Sequence, residues 1–73
     1  MKNNNIAVVG LGYVGLPLAV LLSSKFNVKG FDINKERIDE LNNFNDSTLE
    51  ISSEKLRESL IKNLSLTQNL EKI

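Results

Sequence analysis

Three glycines and one aspartate carry the chemistry that this sequence can do. Gly10-Leu11-Gly12-Tyr13-Val14-Gly15 has the spacing G-x-G-x-x-G. It follows Ile6-Ala7-Val8-Val9 directly and runs directly into Leu16-Pro17-Leu18-Ala19-Val20-Leu21-Leu22. An apolar run, a glycine turn and a second apolar run read as a buried strand, a tight reversal and a helix. The helix start offers unpaired N–H groups and the positive end of its dipole, the chemistry of a pyrophosphate cradle. Gly10 serves the reversal, Gly12 the approach of phosphate to the main chain, and Gly15 the close packing of helix on strand. Tyr13 and Val14 add N–H groups at the helix start. Asp32 lies 20 residues beyond Gly12, where a second strand ends. A carboxylate there accepts hydrogen bonds from both hydroxyls of an adenosine ribose.

The same residues admit a plainer reading, in which the glycines only make a turn and Asp32 only caps the next helix. Asp32 favours NAD, because it repels the extra phosphate of NADP. Lys35 and Arg37 weigh the other way, since a basic residue just past the strand can bind that phosphate. The Tyr13 ring either covers the cofactor or packs under the loop. Arg37 either contacts ribose or adenine, or pairs with Glu36 or Glu40 on the helix surface. Thr48 and Glu50 either reach the cofactor side of the sheet or serve as turn formers and caps. The charges from Glu54 to Lys62 read as a solvated helix face.

These side chains need a frame, and the rest of the pattern supplies it. Met1 to Asn5 is polar and expected to fray. Ile6–Val9 suits a parallel strand covered on both faces. Val14, Leu18, Leu21 and Leu22 form the expected buried stripe of the first helix, which tolerates Pro17 in its first turn and stops near Ser24 or Lys25. Asn27–Asp32 is a second strand, in which Gly30 implies close approach of a backbone or ligand. Asn34 is the expected N-cap of a helix reaching about Asn43, with Ile38 and Leu41 inside. A turn cluster spans 42–48, and Ser52 or Ser53 caps a third helix burying Leu56, Leu60 and Ile61. Leu64–Thr67 alternates as a short third strand, and Gln68–Ile73 begins another turn or helix. The order β-α-β-α-α-β is α/β: part of a Rossmann fold, a doubly wound parallel sheet with strand order 3-2-1.

Composition narrows the function classes. The chain of 73 residues makes at most one small domain, and such a chain buries only about 60% of its unfolded surface. Nine basic residues balance nine acidic ones, so no overall field draws it to nucleic acid or to an anionic membrane. With neither Cys nor His, disulfides, a thiolate nucleophile and the usual zinc sites are excluded, and a cytoplasmic location is expected. The uncharged stretch from Ile6 to Leu22 has the look of a signal-peptide core. It contains three glycines and a proline and falls short of the roughly 20 residues that a membrane helix needs.

Gly10 to Ala19, Gly30-Phe31-Asp32-Ile33-Asn34 and Arg37-Ile38-Asp39 together resemble the N-terminus of the UDP-glucose/GDP-mannose dehydrogenase family. Thr48-Leu49-Glu50-Ile51-Ser52 and Leu64–Thr67 are similar to the bacterial UDP-N-acetylhexosamine 6-dehydrogenases, which supply uronic acids for capsule and O-antigen. The resemblance implies a two-step oxidation of the C6 alcohol of a UDP-sugar with two NAD, in a homo-oligomer. Carried over, Gly10, Gly12, Tyr13, Val14 and Gly15 lie on the pyrophosphate, with Asp32 and Arg37 on the adenosine ribose. The family's catalytic cysteine lies far beyond position 73 and has no counterpart here. Residues 1–73 are therefore expected to be the N-terminal part of a dinucleotide-binding domain, ending before a fourth strand and without a catalytic residue. That end leaves β1 as an apolar sheet edge, expected to pair with another copy. The alternatives are a regulatory NAD-binding module and a hydroxyacid-type dehydrogenase with the same glycine loop.

Overall fold

The computed structural model describes residues 5–69 and 71. The order is β1 (Asn5–Val9), α1 (Gly15–Leu22), β2 (Asn27–Phe31), α2 (Lys35–Asn42), α3 (Ser53–Lys62) and β3 (Leu64–Thr67). The three strands are parallel in the order β1-β2-β3, with β1 at an edge. Ile6 lies beside Val28 and Val8 beside Gly30, while Val28 lies beside Leu64. Asn5 opens β1 opposite Asn27 rather than fraying. Of the expected frayed start and final turn, residues 1–4, 70, 72 and 73 lie outside the described residues.

Two right-handed crossovers advancing in one direction place their helices on one side of the sheet. The core accordingly joins Val8, Val28 and Leu64 from that face to Leu16, Ala19 and Val20 of α1, Ile38 and Leu41 of α2 and Leu56 of α3. On the opposite face Ala7 is exposed and Val9 is 68% exposed, so β1 is covered on one face and not on both. The described helices form a single layer, and a continuous apolar run does not say how many layers are present.

Helix α1 departs from expectation in the same way. Val14, Leu18 and Leu21 are 79%, 44% and 68% exposed, and the buried stripe is Leu16, Ala19 and Val20. Because α1 is apolar all round, periodicity has no polar face with which to orient it. It ends at Leu22, where Ser23 Oγ donates to the Val20 carbonyl at 2.7 Å and Ser24 Oγ to that of Leu21 at 2.8 Å. In α3 Leu56 is buried and Leu60 half-buried, but Ile61 is 72% exposed and Ser59 takes the inward position. Asn34 caps α2 by accepting from the amides of Glu36 and Arg37, and Ser52 caps α3 by accepting from Lys55. The uncharged stretch 6–22 folds as strand, turn and an eight-residue helix, and no described helix is long and apolar enough to cross a membrane.

Gly30 makes room for side chains and not for a backbone or a ligand. A Cβ there would stand 2.8 Å from Leu66 Cδ2 and 3.0 Å from Leu11 Cδ2. Gly15 is constrained by backbone: its Cβ would lie 1.7 Å from the Gly10 carbonyl oxygen, whereas one on Gly12 meets nothing within 4 Å. Gly15→Ala is therefore expected to cost at least about 3 kcal/mol, enough to unfold so small a domain, because an overpacked backbone contact cannot relax. Gly12→Ala is expected to stay within about 1 kcal/mol of the native chain. Thermal or urea unfolding checks the pair, and similar midpoints for both variants would contradict this packing.

Candidate functional site

The glycine loop is held from three directions at Leu11. Its N–H donates to Asp32 Oδ2 at 3.0 Å, its carbonyl accepts from Arg37 Nε at 2.7 Å, and its side chain is wholly buried against the space left by Gly30. One residue earlier, Gly10 turns at φ +93° and donates to the Phe31 carbonyl at 2.7 Å, tying the turn to the end of β2. The loop and Asp32 thus lie on the same side, at the carboxyl ends of neighbouring strands, where parallel α/β sheets bind ligands.

Among the described residues, no acceptor takes the N–H groups of Gly12, Tyr13 or Val14. They stand just ahead of α1, whose N-cap Val14 makes no side-chain capping bond. A cleft of about 340 Å³ opens beside them, between Gly12 and Tyr13, Asp32 at the end of β2, and Ser47 and Thr48 across from it. The Tyr13 ring is 68% exposed on the wall of this cleft, so it does not pack under the loop. Asp32 accepts one bond on each oxygen, from Leu11 and from the Asn34 amide at 2.9 Å. It thus does the work of a loop tie and a local cap, and a carboxylate with about four acceptor positions keeps capacity for a ligand.

Arg37 is buried, which the sequence reading did not anticipate. Its expected pairing with Glu40 is present at 3.1 Å, but as part of a buried clamp rather than on a solvated surface, and Glu36 is not its partner. Nη1 also donates to Asp46 Oδ1 at 3.0 Å. Nη2 is buried without a hydrogen-bond partner, on a residue that lines the cleft. Lys35 does not line the cleft. It pairs with Asp39 at 2.8 Å on the exposed face of α2, and that hydrogen bond raises its pKa.

Asp46 is the other residue that the sequence did not single out. Its side chain is fully buried, and it draws together the loop between α2 and α3. Besides Arg37, Oδ1 accepts from the Thr48 amide at 3.0 Å and from the Thr48 hydroxyl. Oδ2 accepts from the amides of Glu50 and Ile51, both at 2.9 Å. Leu49, between Thr48 and Glu50 in sequence, is held at φ +60° with its side chain in solvent. Thr48 reaches the cleft, whereas Glu50 contributes its amide to Asp46 and does not line the cleft. Burial pushes the Asp46 carboxyl upward, but the Thr48 hydroxyl, the Ile51 and Thr48 amides and Arg37 outweigh it and hold it at about 2. Hydrogen bonds from Ser47, ahead of the attraction of Arg37, hold Glu40 below its ordinary value as well.

Residues 4–73 match the NAD binding domain of the UDP-glucose/GDP-mannose dehydrogenase family. The chain belongs to that family. It is 55% identical over 71 residues to the UDP-N-acetyl-D-glucosamine 6-dehydrogenase of Pseudomonas aeruginosa, covering 97% of this chain and 16% of that protein. It is 53% identical over 70 residues to Protein CapL of Staphylococcus aureus, covering 96% and 16%. The UDP-D-ManNAc dehydrogenase structure from Pyrococcus horikoshii superposes with a TM-score of 0.87 at 36% identity, covering 94% of this chain and 17% of that one. The chain thus spans about one sixth of the length of the curated relatives it matches. Its partial Rossmann architecture is that of the family's NAD-binding domain, and NAD is the cofactor of that domain.

Asp46 also gives the fold a signed acid response. Its pKa is lowered from 3.8 to about 2 on folding. A depressed carboxyl contributes stability that is complete above the unfolded pKa and lost as pH falls through the folded one. Urea unfolding of the native chain is expected to lose about 2 kcal/mol from this group between about pH 4 and pH 2. Asp46→Asn should lack that component, and identical pH dependence in the two proteins would contradict the assignment.

Proposed function

We propose that this chain supplies the first part of the NAD site of a nucleotide-sugar 6-dehydrogenase acting on a UDP-sugar of the UDP-N-acetylhexosamine class. In that reading, residues 1–73 are the N-terminal part of a dinucleotide-binding domain. The observation that carries it is the pairing of three acceptor-free amides at Gly12, Tyr13 and Val14 with the Asp32 carboxylate on the same side of the sheet. The amides, with Gly10 and Gly15 shaping their loop, hold the diphosphate of NAD. Open space around Gly12 lets that group approach the main chain. Asp32 holds the adenosine ribose, and Arg37 Nη2 supports the same end of the cleft.

The relatives' names point to oxidation at C6 of a UDP-sugar. Carrying an alcohol to a carboxylate removes four electrons, as two hydrides to two NAD in turn, and water supplies the added oxygen. The sequence has no cysteine, so the nucleophile that the family resemblance implies has no counterpart among these residues. The chain by itself is therefore expected to catalyse nothing. A cytoplasmic setting and assembly as a homo-oligomer accompany this reading.

Calorimetric titration with NAD tests the site. The native chain should bind, and Asp32→Asn should weaken binding about tenfold, the size of one hydrogen bond to a charged group. Equal affinity in the two proteins would contradict the assignment, as would turnover of UDP-sugar and NAD by the isolated chain.

A further inference from the structure

The cleft carries an arginine whose charge is already spent. Among the described residues, Arg37 is the only basic one lining it, against the carboxylates of Asp32, Glu36 and Glu40. Its Nε is committed to the Leu11 carbonyl and its Nη1 to Asp46 and Glu40. Only Nη2 lacks a partner. Asp46 is the deeper of the two anions, with a side chain at 0% exposure against 24% for Glu40. It is also fastened by Thr48, Glu50 and Ile51, so it cannot swing away when a ligand arrives.

A basic side chain just beyond the second strand is the means by which dinucleotide sites accept a 2′-phosphate on the adenosine ribose. Here such a residue is in place but neutralised from behind. We infer that Asp46 is a positioning and specificity-determining residue of the dinucleotide site, acting through Arg37. By fixing and neutralising the guanidinium, it holds the Leu11 carbonyl in place and leaves the cleft hostile to the 2′-phosphate of NADP. The inference rests on the reading of this cleft as the NAD site, but it concerns a residue that touches no cofactor.

Two effects follow when the Asp46 charge is removed. The Arg37–Leu11 bond loses its backing, which weakens all dinucleotides alike. The guanidinium also becomes an uncompensated cation beside the adenosine ribose, which helps only the ligand with an extra phosphate. A merely structural role produces the first effect and not the second, so the ratio of affinities separates them.

The test is amide-resolved NMR titration of the native chain, Asp46→Asn and Glu40→Gln with NAD and, separately, with NADP. The native chain should prefer NAD. Asp46→Asn should shift the ratio of the two dissociation constants toward NADP by about tenfold, the size of one charge-assisted contact. Glu40→Gln, which removes the more exposed anion, should shift it the same way by less. Should Asp46→Asn fail to fold, the Glu40→Gln ratio decides alone. Parallel loss of both affinities, or an unchanged ratio, in each folded variant overturns this inference and leaves the NAD site standing. A native chain that binds neither dinucleotide overturns both.

Discussion

Everything at the carboxyl end of this sheet depends on how Leu11 is pinned. A loop with two glycines in three residues has little reason to hold one shape. Leu11, between them, supplies the reason: a buried side chain, an amide tied to Asp32 and a carbonyl tied to Arg37. With those three anchors in place, the next amides, of Gly12, Tyr13 and Val14, are left without an acceptor among the described residues. Anchoring is what separates a phosphate cradle from a flexible turn, because a ligand then need not supply the entropy of ordering it.

The anchors come from separate parts of the chain, and the sheet register brings them together. Pairing of Val9 with Phe31 sets the ends of β1 and β2 level, so Gly10 can bond the Phe31 carbonyl and Leu11 can reach Asp32. Gly30 removes a side chain where Leu11 must enter. Arg37 rises from the first turn of α2, whose start is fixed by Asn34. Asp46, beyond the end of α2, closes the set from behind. Stability and site geometry therefore share the same bonds, and a substitution in the clamp acts on both.

Much of this was legible in the sequence because local chemistry and global fold agree. The glycine spacing, the strand before it and the Asn34 and Ser52 caps act within a few residues of where they stand. Asp32 was legible by its fixed distance from the glycine loop, although it ties Leu11, 21 residues away. The sequence was silent where partners are distant. Nothing local marks Asp46 as different from any turn aspartate, since its partner Arg37 is nine residues away and belongs to a helix. Arg37 resembled a surface residue because its helix is mostly charged. The orientation of α1 was unreadable for the opposite reason: with apolar residues all round, Val14, Leu18 and Leu21 looked no less suited to the core than Leu16, Ala19 and Val20. Leu11 was not singled out as an anchor, and a large apolar residue between two loop glycines is the local signal that could have marked it.

The central claim is that a diphosphate lies on the main chain after β1 while the neighbouring carboxylate holds a ribose. The most direct measurement is a crystal structure of the chain with NAD. The account predicts phosphate oxygens within hydrogen-bond distance of the amides of Gly12, Tyr13 and Val14, and the adenosine hydroxyls on Asp32. A dinucleotide seated on the bare sheet face around Val9 and Phe31, with those amides still unpaired, would contradict it.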